Sequence, residues 1–166
     1  ISRGEGYYNI EFENGPVITL INDTETIGLE VDFMDEDFYT VSNSPASVKL
    51  REFIFNYSEK SIATNEAFKV LDSLKLLKAE DESLIAATNA KNRTIADINN
   101  YTKSFLIEVD NGNVAAFVLG NVANTFSSQE FDIIITRLLQ KFPENEYLFS
   151  IKEDLDKKIS EVSAPV

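Results

Sequence analysis

Cysteine and histidine are both absent from this chain of 166 residues. Without cysteine it has no disulfides, no thiolate metal ligands and no thiol nucleophile. Without histidine it lacks the side chain that most often acts as a general acid, a general base or a metal ligand near neutral pH. An enzyme with this sequence would have to use Asp, Glu, Lys, Tyr, Ser or Thr with strongly shifted pKa values. We therefore expect a protein that is not an enzyme and that holds no cofactor and no metal.

Glycine is scarce, and the six glycines are scattered singly, so no glycine-rich loop that could cradle a phosphate is present. The nucleophile motifs Ser-x-x-Lys, Gly-x-Ser-x-Gly and Tyr-x-x-x-Lys are also missing. With twenty-eight Asp and Glu residues, any carboxylate pair chosen for glycosidase chemistry would be arbitrary. An enzyme that depends on carboxylates or Mg²⁺ is therefore the third hypothesis.

Long apolar runs are absent, and the N-terminus has no signal-peptide pattern. We expect a soluble protein, located in the cytoplasm or within a viral particle, that does not bind membranes. The chain begins at Ile1 rather than Met, so a processed product, a trimmed chain and a part of a longer chain stay open alternatives.

Acidic side chains are concentrated in the first forty residues, which hold ten carboxylates and one basic residue, Arg3. They account for nine of the thirteen net negative charges of the chain. This charge argues against direct binding of nucleic acid, because Lys and Arg are the main phosphate-binding residues. It favours a partner protein with a basic surface.

The first forty-three residues alternate between apolar and polar side chains, as in strands that are buried on one face. Residues 7–13 and 26–33 alternate most clearly, and Asn14-Gly15 is typical of a hairpin turn. Residues 17–21 are the returning strand, and residues 38–41 are a fourth strand. The pattern predicts an antiparallel β-meander.

Helical spacing begins at Ser44 and Pro45, which suit the N-cap and the first helical position. A helix of about three turns follows, and Thr64 or Asn65 is expected to cap a second one. Residues 80–101 have a weaker helical pattern. Ser127 and Glu130 form a capping box before a helix that ends at Pro143, and a last helix runs from about residue 144 to 162.

Two apolar segments flank Asp110-Asn111-Gly112-Asn113 and predict a later β-hairpin. The expected fold class is therefore α+β, with an antiparallel sheet packed against about four to five helices. The sheet would combine the N-terminal β-meander with the later hairpin. No linker or repeat divides the chain, so we expect a single domain over residues 1–166. Its parts are an acidic β-rich part (1–43), a helical part (44–103), the β-hairpin (104–122) and the C-terminal helices (127–163).

If the early strands alternate as predicted, their acidic side chains share one face of the sheet and its turns. We predict a partner-binding surface there. Alternatives are a solvated face and a divalent-cation site, although the EF-hand spacing is missing. The predicted surface consists of Glu11, Glu13, Glu30, Asp32, Asp35, Glu36 and Asp37.

The last predicted helix has a nearly heptad spacing of apolar side chains at Leu148, Ile151, Leu155 and Ile159. Such a stripe either packs on the protein's own sheet or mediates self-association. The sequence leaves the oligomeric state open.

The leading hypothesis is a non-enzymatic interaction domain. It would bind a basic protein surface through the acidic sheet face, in the manner of inhibitors, immunity proteins and nucleic-acid mimics. The alternative is a structural subunit of a large assembly, such as a viral particle, processed at its N-terminus.

Overall fold

Four short strands precede five helices in the computed structural model, which describes residues 6–13, 15, 17–34, 39–122 and 125–163. This arrangement confirms the α+β class. The strands are β1 (Tyr7–Glu11), β2 (Val17–Ile21), β3 (Gly28–Val31) and β4 (Tyr39–Ser42). The helices are α1 (Pro45–Leu76), α2 (Asp81–Glu108), α3 (Gly112–Val122), α4 (Ser128–Lys141) and α5 (Glu146–Ser163).

The strands pair in two antiparallel hairpins, with Glu11 opposite Val17 in the first and Val31 opposite Tyr39 in the second. In the described residues these hairpins are two separate two-stranded sheets, so the single continuous sheet that we predicted is wrong. Alternation along a strand shows which of its faces is buried, but it does not identify the strand's neighbours.

The β-hairpin predicted over residues 104–122 is also wrong, because this segment contains the end of α2 and the whole of α3. α3 is buried on nearly every side, and a helix buried all round has the same apolar density as a buried strand. Asn111 caps α3 instead of forming a hairpin turn. Its Oδ1 accepts hydrogen bonds from the backbone N–H groups of Asn113 at 2.9 Å and Val114 at 3.1 Å.

The first two predicted helices are one helix, α1. Thr64 does not cap a new helix, since its hydroxyl donates to the carbonyl oxygen of Lys60, one turn earlier, at 2.9 Å. No proline or glycine lies between Ala46 and Leu76, so neither residue interrupts α1.

Other helix ends lie where the sequence pattern predicts them. Ser44 Oγ accepts the N–H of Ser47 at 3.1 Å, as an N-cap does. The capping box of Ser127 and Glu130 is complete, and α5 covers nearly the range expected. The weak pattern over residues 80–101 is helical and continues to Glu108.

The chain forms two compact units, one of residues 1–52 with 108–166 and one of residues 53–107. The single domain expected for residues 1–166 stays a prediction, since a compact unit need not fold independently. The first unit holds both hairpins, the first turns of α1, and α3, α4 and α5. Its fully buried side chains come from the first hairpin, the first turns of α1, and α3, α4 and α5; they include Ile18, Ile21, Leu50, Leu119, Ile135 and Leu148.

The second unit is a hairpin of two helices, which we call the helical hairpin (residues 53–107). The buried Phe53 ring lies 5.3 Å from Tyr57, 5.6 Å from Tyr101 and 4.7 Å from Phe105, measured between ring centroids. These aromatic contacts join α1 to α2 at the end of the helical hairpin that is opposite its loop.

None of the helices in the described part of the chain combines the length and the apolar composition that crossing a bilayer requires.

Candidate partner-binding surface

The turn after β1 is tight and acidic. The N–H of Gly15 donates to the carbonyl oxygen of Phe12 at 3.0 Å. A Cβ added at Gly15 would lie 2.8 Å from the Cβ of Phe12, a distance that only glycine avoids. Glu13 lies on this turn and is exposed.

The turn after β3 is also acidic and carries two apolar side chains. Asp32 Oδ1 accepts the N–H of Met34 at 2.9 Å, which is an Asx-turn. This hydrogen bond holds the backbone in a turn that points Phe33 and Met34 away from the core. Phe33 is 69% exposed and Met34 is 95% exposed.

A contact between two aromatic rings joins these turns. Phe12 and Phe33 meet edge to face, with 5.5 Å between ring centroids and 81° between ring planes. Phe12 belongs to the first hairpin and Phe33 to the second. Glu13 and Asp32, their neighbours in sequence, therefore lie on adjoining turns, although the two sheets are separate.

The acidic side chains around this contact are exposed and have no cationic partner within the described residues. Glu30 faces outward from β3, opposite the exposed Thr40 of β4. Lys49, Lys60, Lys75, Lys152 and Lys157 form their ion pairs with other carboxylates. The carboxylates that lack an ion pair in this part of the structure are Glu11, Glu13, Glu30 and Asp32.

The two acidic turns come together in a way that the sequence did not predict. Glu11 and Glu30 lie in different sheets, so they do not share one sheet face. The contact between Phe12 and Phe33 brings their hairpins together instead. We call this region the acidic hairpin ends: Glu11, Glu13, Glu30, Asp32, Phe33 and Met34. The predicted Asp35, Glu36 and Asp37 lie outside the described residues.

Asp23 has a structural role. Its Oδ1 accepts the hydroxyl hydrogen of Ser44 at 2.5 Å, and its Oδ2 accepts the N–H of Ala46 at 2.9 Å. It therefore supports the N-terminus of α1, where a negative charge is favourable. Ser47 Oγ accepts the N–H of Ile21 at 2.8 Å, which ties β2 to the same turn of α1.

Arg51 joins the second hairpin to α1. Its guanidinium donates to the backbone carbonyl of Tyr39 and lies 5.2 Å from the centroid of the Tyr39 ring. Burial raises the pKa of Tyr39, and the charge of Arg51 offsets part of this effect. The start of β4 is thus fixed against α1.

The predicted self-association stripe lies mainly inside the first unit. α5 packs mainly against α3 and α4. Its Tyr147 ring also contacts Tyr7 of β1, with 5.7 Å between ring centroids. Leu148 is fully buried, Ile151 and Leu155 are half-buried, and Ile159 is 41% exposed. Leu148 is therefore out of reach of another molecule. Self-association through the outer end of α5 stays a prediction.

A cleft of about 800 Å³ lies where the first turns of α3 and α5 meet Asn22 and Asp23. Two of its amides, those of Asn111 and Asn145, serve as helix caps. Asn145 Oδ1 accepts the N–H of Leu148 at 3.0 Å, and its Nδ2 donates to Asn113 Oδ1 at 2.8 Å. In the described residues, no group of three or more Asp or Glu side chains is placed to hold a metal ion.

The sequence missed the contact between Phe12 and Phe33. Phe12 and Phe33 each lie at the end of a segment with alternating polarity, and both rings were expected on the apolar face of a single sheet. No local sequence pattern links residues of two separate sheets. The one signal in the sequence is that an acidic residue stands beside each of the two phenylalanines.

Comparison of the chain with family models, with curated proteins and with solved structures found no match. Its function therefore has to be inferred from its residues and their geometry.

Proposed function

We propose that the protein is a non-enzymatic interaction domain that binds a basic partner protein through the acidic hairpin ends. The contact between Phe12 and Phe33 carries the proposal, because it places two acidic turns next to each other. Inhibitors, immunity proteins and nucleic-acid mimics are the classes that cover a basic surface in this way. A location in the cytoplasm is part of the same proposal.

The charges of the surface favour a cationic partner. Like charges on neighbouring segments repel, and a Lys or Arg of a partner would turn this repulsion into attraction. Such charges mainly raise the association rate and select the partner, and they act more weakly as salt concentration rises.

The exposed apolar side chains of this surface indicate that the partner's binding surface also has an apolar part. Burying a side chain such as Phe33 or Met34 stabilises a complex by about 1.5–3 kcal/mol before the costs of association. These two residues lie between acids, so we expect an apolar group on the partner surrounded by Lys or Arg. This is the arrangement of an interface with an apolar centre and a charged rim.

A pull-down from a lysate of the source organism tests the proposal. The immobilised chain should retain a basic protein at about 0.05 M NaCl and lose most of it at about 0.5 M, where the Debye length is much shorter. Glu13→Gln with Asp32→Asn should weaken retention at least about tenfold. The asparagine keeps the oxygen that accepts the N–H of Met34, so the turn is preserved.

The matched control is Glu66→Gln with Glu153→Gln, which removes two exposed carboxylates that lie elsewhere. This variant should retain the partner as the unchanged chain does. Equal loss in both variants would mean that only net charge matters. A retained protein that ignores both salt and the two substitutions would refute the proposal.

A further inference from the structure

The cleft at the first turns of α3 and α5 contains a buried amide whose hydrogen bonds are incomplete. This amide belongs to Asn113, which lines the cleft and is only 7% exposed. Buried amides normally have partners, because a donor that leaves water without finding an acceptor loses its hydrogen bonds. An exception that borders a cleft indicates a place where a ligand can complete them.

The orientation of the Asn113 amide is fixed by a chain of hydrogen bonds that begins at the backbone. The N–H of Leu148 can only donate, so the atom of Asn145 that it contacts at 3.0 Å is Oδ1. The other amide atom of Asn145 is therefore the donor Nδ2, and the Asn113 atom that it contacts at 2.8 Å is Oδ1. The second amide atom of Asn113 is thus its donor, Nδ2.

Asn113 Nδ2 is open to the cleft. It donates to no acceptor in the described part of the chain, and it is not sealed from solvent. Because Asn113 lines the cleft, the cleft is the opening through which this atom is reached. An acceptor atom of a ligand in the cleft can therefore bind it.

The first turn of α5 adds backbone donors to the same cleft. The N–H groups of Glu146 and Tyr147 have no acceptor among the residues that the structure describes, since the cap Asn145 Oδ1 accepts the N–H of Leu148 instead. Both residues line the cleft. Together with Asn113 Nδ2, these groups favour a ligand that presents oxygen atoms.

The charged residues that line the cleft are all acidic: Asp23, Glu144 and Glu146. These carboxylates repel an anion, so a phosphate, sulfate or carboxylate ligand is disfavoured in spite of the two helix N-termini. The N–H donors disfavour a bare metal cation. The described residues also place no group of three carboxylates around one. The cleft therefore suits a neutral ligand.

Hydroxyl groups match both the amides and the acids of the cleft. A hydroxyl oxygen accepts from an N–H while its hydrogen donates to a carboxylate. Phe142 and Tyr147 also line the cleft, and Tyr147 is 44% exposed. An aromatic ring gives the C–H face of a sugar ring an apolar surface on which to pack. The cleft volume of about 800 Å³ is in the range of small-molecule sites.

We propose that this cleft binds a neutral saccharide. Asn113 Nδ2 and the N–H groups of Glu146 and Tyr147 donate to oxygen atoms of the saccharide, and the carboxylates of the cleft accept from its hydroxyl groups. The ring of Tyr147 packs against the C–H face of one sugar unit. The site has no residue in common with the acidic hairpin ends.

An NMR titration of the isotopically labelled full chain tests this site with maltose, cellobiose, lactose and diacetylchitobiose, each up to about 20 mM. At least one of these disaccharides should shift the side-chain amide signals of Asn113 together with the backbone amide signals of Glu146 and Tyr147. The common dissociation constant should lie below about 5 mM. If none of the disaccharides shifts these signals together, the proposal is overturned.

Asn113→Asp removes the donor and keeps the acceptor. The aspartate still has an oxygen for Asn145 Nδ2, and a negative charge suits the first turn of α3, so the fold is preserved. The dissociation constant of the bound disaccharide should rise at least about tenfold.

The matched control is Asn92→Asp, which makes the same chemical change at an exposed position of α2. It should bind the disaccharide as the unchanged chain does. Circular dichroism checks that both variants are folded. Equal binding by Asn113→Asp and Asn92→Asp would overturn the proposal.

Sodium sulfate distinguishes a saccharide site from an anion site at the two helix N-termini. About 20 mM sulfate should shift the Asn113 signals no more than NaCl at the same ionic strength does. Larger shifts with sulfate would overturn the choice of a neutral ligand.

The saccharide site and the proposed partner-binding surface can fail separately. Glu13→Gln with Asp32→Asn should leave the disaccharide titration unchanged. Asn113→Asp should leave the salt-sensitive retention of a basic partner in place. Failure of one proposal can therefore be distinguished from failure of the other.

Discussion

Asp23 and Glu13 carry the same charge but have different environments. Both oxygens of Asp23 accept hydrogen bonds at the start of α1, from Ser44 and from Ala46. Glu13 is exposed on the turn after β1 and forms no ion pair with the described residues. The first carboxylate stabilises the fold, whereas the second is exposed and belongs to the proposed partner-binding surface.

Replacing Asp23 by alanine should lower the free energy of unfolding by about 1–2 kcal/mol, since the N–H of Ala46 loses its acceptor and the buried hydroxyl of Ser44 loses its charged one. Urea denaturation measures this change. Glu25→Ala is the control, because Glu25 is an exposed acid two residues away, and it should change the stability by less than about 0.5 kcal/mol. Equal effects would contradict the structural role of Asp23.

At the scale of elements, the end of α1 shows how a helix can stop without glycine or proline. Lys78 has a φ of 51°, in the left-handed region. The N–H of Ala79 donates to Leu74 O at 3.0 Å, and the N–H of Lys78 donates to Lys75 O at 3.1 Å. This is a Schellman motif in which lysine occupies the position that usually holds glycine.

Lys78→Gly should therefore raise the free energy of unfolding by about 0.5–1 kcal/mol, because glycine adopts a positive φ without strain. Thermal and urea unfolding measure the gain. Lys69→Gly, in the middle of α1, should have the opposite sign and cost about 1 kcal/mol. A loss of stability in the Lys78→Gly variant would show that Lys78 contributes contacts that outweigh its backbone strain.

Elements with local determinants could be predicted from the sequence. The turn at Gly15, the cap at Ser44 and the capping box at Ser127 each depend on residues a few positions apart. Residues 104–122 were predicted wrongly as a β-hairpin, because their helices are buried nearly all round and lack a distinctive period. The break predicted at Thr64 failed because a threonine can bond back to the preceding turn within a helix.

The candidate surface was only partly predictable. Exposure of Glu11, Glu13, Glu30 and Asp32 follows from their charge. Their approach depends on a contact between rings that are twenty-one residues apart in the sequence and lie at the ends of separate sheets. Strand periodicity contains no information on such a contact. Tertiary packing alone determines it.

At the scale of the whole molecule, charge is distributed unevenly between the two compact units. The unit with the acidic hairpin ends carries a formal charge of −13, and the helical hairpin carries none. The proposed partner binding should weaken with salt.

The most direct test of the central claim is an NMR titration of the isotopically labelled full chain with an amphipathic lysine–leucine peptide. The account predicts that the amide signals of Glu13 and of Phe33 shift together with one midpoint, and that Glu13→Gln with Asp32→Asn moves this midpoint to a higher peptide concentration. Shifts confined to one turn, or centred on the helical hairpin, would contradict it.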